Sequence, residues 1–358
     1  MQKFRKIGIL TSGGDAPGMN ACIRAVTRKA IEQGVEVVGI LGGYSGLINE
    51  KIIPLDQRSV SNIITRGGTM LYSDRCPEFK TPEGMAKAIK TCHNNQIDAI
   101  VAIGGDGTFR GATDLTNHGI PSIGLPGTID NDIATTEYTI GFDTAMNTVL
   151  SLVDDLRDTC ESHARCNVVE VMGRDCGQIA LLAGIAAGAV SIAIPEIPFD
   201  EDAAIEKIKK VKADGKRGMI VVVSEGVASP TGEKFGEYFT RTIEEKTGIE
   251  TRFARFAHIV RGGSPSLRDR LAATEMGVKA VELLLEGKSN LIVGEMNGKV
   301  DSIDINFALI TDRMYKNKLK DGDLDAFTPD QVAKMKEICT NRANNIKALY
   351  EISHSVCK

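Results

Sequence analysis

The chain has 358 residues, of which 42% are hydrophobic, with a formal net charge of −4 and 8 cysteines. That length exceeds one average domain and predicts two, and the mild acidity gives no general electrostatic reason to bind nucleic acid, so any anion site must be local. No run of about 18 apolar residues exists to cross a membrane, and the opening MQKFRKIGIL lacks a long apolar core and a cleavage site, so it reads as a first strand rather than a signal peptide.

In chain order, short apolar runs predict strands over 6–11, 35–41, 98–104, 121–125, 166–172, 191–195 and 218–225. Several are apolar throughout, as parallel strands covered on both faces are. Helical spacing predicts helices over 82–95, 144–164, 176–189, 201–213, 266–286 and 330–352, the first opened by Thr81 and Pro82 as N-cap and first-turn proline. This alternation means a doubly wound α/β architecture with mostly parallel sheets. The helix 144–164 is expected to bridge an N-terminal sheet and a second sheet built from the 166–225 strands. The cysteines sit mostly in apolar periodic segments and read as reduced, in a cytoplasmic protein. CESHARC (160–166) has no fourth ligand partner nearby and is not expected to hold zinc.

Ligands of such sheets sit outside the carboxyl ends of the strands, and those ends are rich in Gly, Asp, Thr and Arg. SGGDAPG (12–18) lets backbone N–H groups approach an anion at a helix start. GGDGT (104–108) adds Asp106, a carboxylate suited to magnesium beside a nucleotide. No Walker loop is present; GKS (287–289) follows a helix and reads as its end. PGTIDND (126–132) alone would be an Asx-turn. Beside the other two, Asp130 or Asp132 reads as a base for an alcohol acceptor, with Arg174 supplying positive charge to the phosphoryl group. Arg165, Arg252, His258 and Arg261 suggest a second phosphate site, because the guanidinium fork binds two oxygens at once. These residues point to a phosphotransferase acting between a magnesium nucleotide and a phosphorylated acceptor.

LTSGGDAPGMN (10–20), RGGT (66–69), IGGDGT (103–108), GLPGTIDNDI (124–133), TIGFDTA (139–145), VVEVMGR (168–174) and HIVRGGSP (258–265) together resemble the bacterial-type 6-phosphofructokinase family, from about residue 5 to about residue 305. Lipid and NAD kinases share GGDGT but lack the pairing of PGTIDND with HIVRGGSP. The resemblance implies two Rossmann-like domains with the active site in the cleft between them: 1–142 plus about 252–305 for ATP, and 143–251 plus about 306–358 for fructose 6-phosphate. It implies transfer of the γ-phosphate of MgATP to the 1-hydroxyl of fructose 6-phosphate. Asp130 would be the base, Thr128 and Arg174 would stabilise the moving phosphoryl group, and Asp132 would support the metal. Gly14, Arg75, Cys76, Gly105, Asp106, Gly107 and Thr108 would bind ATP, with Asp106 on Mg²⁺. Thr128, Asp130, Met172, Gly173, Arg174 and Glu225 would hold the sugar, and His258 and Arg261 the 6-phosphate. Arg165 and Arg252 would reach across from a neighbouring subunit of a homotetramer.

The family's pyrophosphate-using branch carries Asp in place of Gly107 and Lys in place of Gly127, so two glycines imply ATP. Arg24, Arg28, Arg157, Lys216 and Arg217 match an effector site for ADP or phosphoenolpyruvate. Gln57, Asn62, Val190 and Asp214 depart from it, and the loss of charge implies weak or absent effector control. The tail beyond about residue 320 is longer than the usual bacterial form and predicts a packed terminal helix.

Overall fold

A computed structural model describes residues 4–356; Cys357 lies outside the described residues. β1 (Lys6–Ser12), α1 (Met19–Glu32), β2 (Glu36–Ile40), α2 (Gly43–Ile48), β3 (Ile52–Leu55), α3 (Pro82–Asn94), β4 (Ala99–Gly104), α4 (Asp106–Asn117) and β5 (Ser122–Pro126) come first. They are followed by α5 (Phe142–His163), β6 (Cys166–Val171), α6 (Gln178–Ala186), β7 (Ser191–Ala193), α7 (Glu201–Ala213), β8 (Met219–Ser224), α8 (Phe235–Thr247) and β9 (Thr251–Phe256). The last elements are α9 (Leu267–Leu285), β10 (Leu291–Met296), β11 (Lys299–Asp304), α10 (Ile305–Tyr315) and α11 (Pro329–Val356).

Every strand expected from an apolar run forms, within a residue or two of its expected bounds. Four strands form without being expected: β10, LIVGEM, is an apolar interior strand between β5 and β11 that the expected set omits, and the other three are edge or charged segments. β3 contains Pro54, tolerated because the strand is an edge; β11 is KVDSID, largely exposed; β9 is TRFARF. Thr81 caps α3 as expected, accepting from Gly84 N at 3.1 Å. The GKS segment ends α9: Gly287, at φ 78°, donates to Leu284 and Lys288 donates to Leu283, which closes the helix.

The chain divides into two compact units: residues up to 129, 133–143 and 261–340, and residues 130–132, 144–260 and 341 onward. Three segments fall elsewhere than the sequence suggested: 130–132 and 252–260 lie in the second unit, and 306–340 in the first. Strand β9 pairs in parallel with β6, Cys166 opposite Thr251, so 252–256 belongs to the second unit. Helix α10 packs on α4, and its buried Asp312 accepts from Ala134 N at 2.5 Å, so 306–315 belongs to the first.

The first unit holds a seven-stranded sheet ordered β11-β10-β5-β4-β1-β2-β3, parallel from β10 to β2 and edged by antiparallel β11 and β3. From β1 the chain moves to β2 on one side and later to β4 on the other. The switch point is therefore between β1 and β4, where Ser12 lies opposite Gly104. The second unit holds a parallel sheet ordered β7-β8-β6-β9. Val171 of β6 lies opposite Ser224 of β8 and Phe256 of β9, so the turns after these three strands share one edge.

Candidate functional site

The β1/β4 switch point gathers the glycine-rich turns. After β1, residues 13–18 lead into α1, which starts with no side-chain cap and no acidic residue in its first turn. A helix start of this kind favours negative charge. Ser73 Oγ donates to the Gly13 carbonyl and Thr11 Oγ1 donates to the Tyr72 carbonyl at 2.6 Å, tying the segment that carries Arg75 and Cys76 to this turn. Arg75 is exposed. Arg261 is buried, lies over Gly14, and donates through Nη1 to Asp15 O at 3.2 Å. Expected to touch different groups, Gly14 and Arg261 thus stand side by side.

After β4, Gly105 is extended and α4 begins at Asp106, again without a side-chain cap. Asp106 Oδ2 takes Arg110 Nη2 at 2.7 Å, while its Oδ1 is buried and accepts no hydrogen bond among the described residues. A buried, unused carboxylate oxygen at a helix start suits a hard cation held jointly with phosphates. Among the described residues no group of three His, Cys, Asp or Glu is gathered that could hold a metal by protein ligands alone. Thr108 is buried; its hydroxyl donates to Ser12 O at 3.0 Å, and its carbonyl takes Tyr44 OH at 2.6 Å. Thr108 therefore locks the two turns together. A Cβ at Gly107 would meet nothing within 4 Å.

Gly127 extends this floor from β5, its N donating to Gly104 O at 3.0 Å. A Cβ there would meet Ile103 Cγ2 at 3.0 Å and Met19 Cε at 3.1 Å, so a lysine in its place would have to displace packed side chains. Thr139 Oγ1 donates to Thr128 O at 2.7 Å and fixes the next residue.

In the second unit, Asp130 is 4% exposed and its Oδ2 lies 3.7 Å from Arg174 Nε, whose side chain is 63% exposed. Arg174 sits in the turn after β6. Gly173 has φ 145°, and a Cβ there would meet the Cys176 carbonyl oxygen at 2.3 Å, so only glycine fits. Glu225 Oε1 accepts from Gly173 N at 3.2 Å and Arg174 N at 3.0 Å, so Glu225 shapes the turn that presents Met172, Gly173 and Arg174. His258, exposed, follows β9 at the same sheet edge.

Arg165 and Arg252 lie at the other end of this sheet. Arg165 precedes β6 and pairs with Glu250 at 2.9 Å; Arg252, opposite Asn167, pairs with the same Glu250. Six residues of β6 separate Arg165 from Met172, about 20 Å at strand rise, and Arg252, level with Asn167, lies about 16 Å from it. The four basic residues read as one phosphate site are thus divided within this chain, because parallel strands put their starts and ends on opposite edges. Of the effector-type residues, Arg24 and Arg28 are one helical turn apart on α1; burial, then the Arg28 charge, lower the Arg24 pKa. Arg157 donates to Ala187 O, and Arg217 donates to the Glu161 and Ser162 carbonyls that end α5. Lys216 stands beside it in sequence. Val190 is fully buried in the core of the second unit and borders a small cavity with Ser191 and His354.

Sequence reading did not single out Asp269, Gln178, Glu196 or Arg342, which hold the site's turns. Asp269 has only a local signal, the Ser266-x-x-Asp269 helix start. The others reach their partners from 19 to 211 residues away, with no local pattern.

The sequence model described as "PFK: Phosphofructokinase" matches residues 6–284. The chain is 52% identical over 318 residues, 89% of its length and 98% of the relative's, to a Clostridium botulinum protein curated as "ATP-dependent 6-phosphofructokinase". A Clostridium novyi protein of the same description is 51% identical over 318 residues, with the same coverage of both chains. Among solved structures, phosphofructokinase from Saccharomyces cerevisiae superposes with TM-score 0.85 at 29% identity; 98% of this chain spans 50% of that one. The chain belongs to the phosphofructokinase family.

Proposed function

We propose that this protein is an ATP-dependent 6-phosphofructokinase, transferring the γ-phosphate of MgATP to the 1-hydroxyl of fructose 6-phosphate and releasing fructose 1,6-bisphosphate and ADP. The observation that carries the reading is the buried Asp130 carboxylate, 3.7 Å from the exposed Arg174 guanidinium and three residues after the packed Gly127. A carboxylate in that setting takes the proton of an alcohol as it attacks, and the neighbouring positive charge stabilises the transferring phosphoryl group. Thr128, held through its carbonyl, presents its hydroxyl to the same group. Asp132 supports the metal side of the loop.

The donor side is built from Gly14, Arg75, Cys76, Gly105, Asp106, Gly107 and Thr108, with the uncapped starts of α1 and α4 facing the phosphates. Magnesium supplies charge neutralisation on the nucleotide when bound, and Asp106 is the residue suited to hold it. Met172, Gly173, Arg174 and Glu225 form the sugar platform, and His258 and Arg261 take the 6-phosphate. Arg165 and Arg252, at the far edge of their sheet, serve an adjacent copy of the chain, which supports a homotetramer with shared sites. The enzyme works in the cytoplasm. Effector control through Arg24, Arg28, Arg157, Lys216 and Arg217 is weak, since two of these cations already bind backbone carbonyls.

A coupled assay of fructose 1,6-bisphosphate formation tests the reading: turnover with MgATP is expected, and none with MgATP refutes it. Donor choice has its own test. Gly107→Asp has room for the new side chain and places a carboxylate beside the nucleotide phosphates. Like-charge repulsion of a few kcal/mol at surface dielectric predicts a KM for MgATP raised at least ~10-fold, with the thermal midpoint unchanged. An unaltered KM would remove Gly107 from the donor site.

A further inference from the structure

Arg342, midway along α11, has no part in the phosphoryl-transfer reading so far, yet its Nη2 donates to the carbonyl oxygen of Asn131. Asn131 is the residue between Asp130 and Asp132. It has φ 48°, in the left-handed region that a side chain makes unfavourable by roughly 1 kcal/mol or more. The Arg342 clamp on its carbonyl helps hold it there, as does its own Nδ2, which donates to Gln178 Oε1 at 2.7 Å.

The guanidinium is half-buried and its surroundings are acidic. Burial raises the Glu196 and Cys176 pKa values, Cys176 to about 12, and the Arg342 charge opposes both shifts; the Asp132 charge also acts on Cys176. Glu196 in turn accepts from Gly177 N at 2.8 Å at the start of α6, the helix that carries Gln178. The part of α11 from residue 341 on, the start of α6 and the 130–132 loop therefore form one connected polar cluster inside the second unit.

We infer that Arg342 is a positioning residue for phosphoryl transfer, clamping the Asn131 peptide so that Asp130 is presented beside Arg174 in the reactive orientation. The inference deepens the kinase reading and rests on it. A peptide rotation at Asn131 would swing both flanking carboxylates. A base must stay within hydrogen-bond reach of its proton, and misplacement by about 1 Å can lower turnover by roughly 10²-fold. Arg342 lies beyond residues 6–284, the part matched to the family. The clamp is thus supplied by the C-terminal helix.

The test uses the full-length protein with Arg342→Met, which keeps the aliphatic stem and removes the donor, and Arg342→Lys, which restores one donor and the charge. Turnover, KM for both substrates, folded fraction and thermal midpoint are measured on the same preparations. Arg342→Met is expected to lower kcat per folded enzyme at least ~10-fold while KM for MgATP stays within about twofold, the pattern of an interaction used in the transition state. Arg342→Lys is expected to turn over at least about threefold faster than Arg342→Met. Wild-type kcat per folded enzyme in Arg342→Met, or a lysine variant no faster than the methionine one, overturns the inference. Absence of ATP-dependent turnover in the wild-type protein would instead refute the kinase reading itself.

Discussion

Replacing Asp130 by asparagine lowers kcat at least ~10²-fold, the usual scale for loss of a general base, with a smaller change in KM for fructose 6-phosphate. The side chain keeps its size, so the buried pocket at 4% exposure is still filled. It loses the ability to accept a proton. The Arg174 guanidinium, 3.7 Å away, then faces a neutral group but keeps the backbone anchors to Glu225 that fix its turn. Binding of the sugar phosphate is therefore largely retained, and the loss falls on the chemical step. Steady-state kinetics on the purified variant check this. Near wild-type turnover would move the base to Asp132, two residues on and half-buried.

Asp269→Ala destabilises the protein by roughly 3 kcal/mol, because it strips the acceptor from two buried donors. Asp269 is fully buried and takes Tyr138 OH and, at 2.7 Å, Gly141 N. Burial, then the Asp269 charge, push the Tyr138 phenol far above its ordinary pKa, so it remains a neutral donor. The carboxylate also lies in the first turn of α9, where the helix dipole favours negative charge. The effect extends toward the site. Gly141 and Thr139 belong to the strap that follows the loop, and Thr139 holds the Thr128 carbonyl. A urea titration against wild type measures the loss; less than about 1 kcal/mol would mean that the two donors find other acceptors.

Much of this architecture is legible in the chain itself, and the reasons are local. β1, β4, β6 and β8 are apolar runs because parallel strands are covered on both faces. Their carboxyl ends are marked by Gly, Asp and Thr, the residues that tight turns with close backbone approach favour. What was not legible depends on tertiary placement. Glu225 carries no local sign that it will accept from the Gly173 and Arg174 amides. Arg165 and Arg252 look like partners of His258 and Arg261 until the β6/β9 register puts them at the opposite edge of the sheet. Val190, where the resemblance implies a changed effector contact, is buried at the wall of a small cavity in the second unit, a placement its sequence does not announce. The predicted terminal helix forms, but nothing in its spacing announces that Arg342 will reach Asn131.

In the proposed reaction a phosphoryl group passes from ATP to the 1-hydroxyl of fructose 6-phosphate. ³¹P NMR of the sugar product, formed with MgATP and separately with pyrophosphate, tests it most directly. A second phosphate is expected at C1 with MgATP, and no bisphosphate with pyrophosphate. Bisphosphate formed only from pyrophosphate, or ATP consumed with no phosphate appearing at C1, would contradict it.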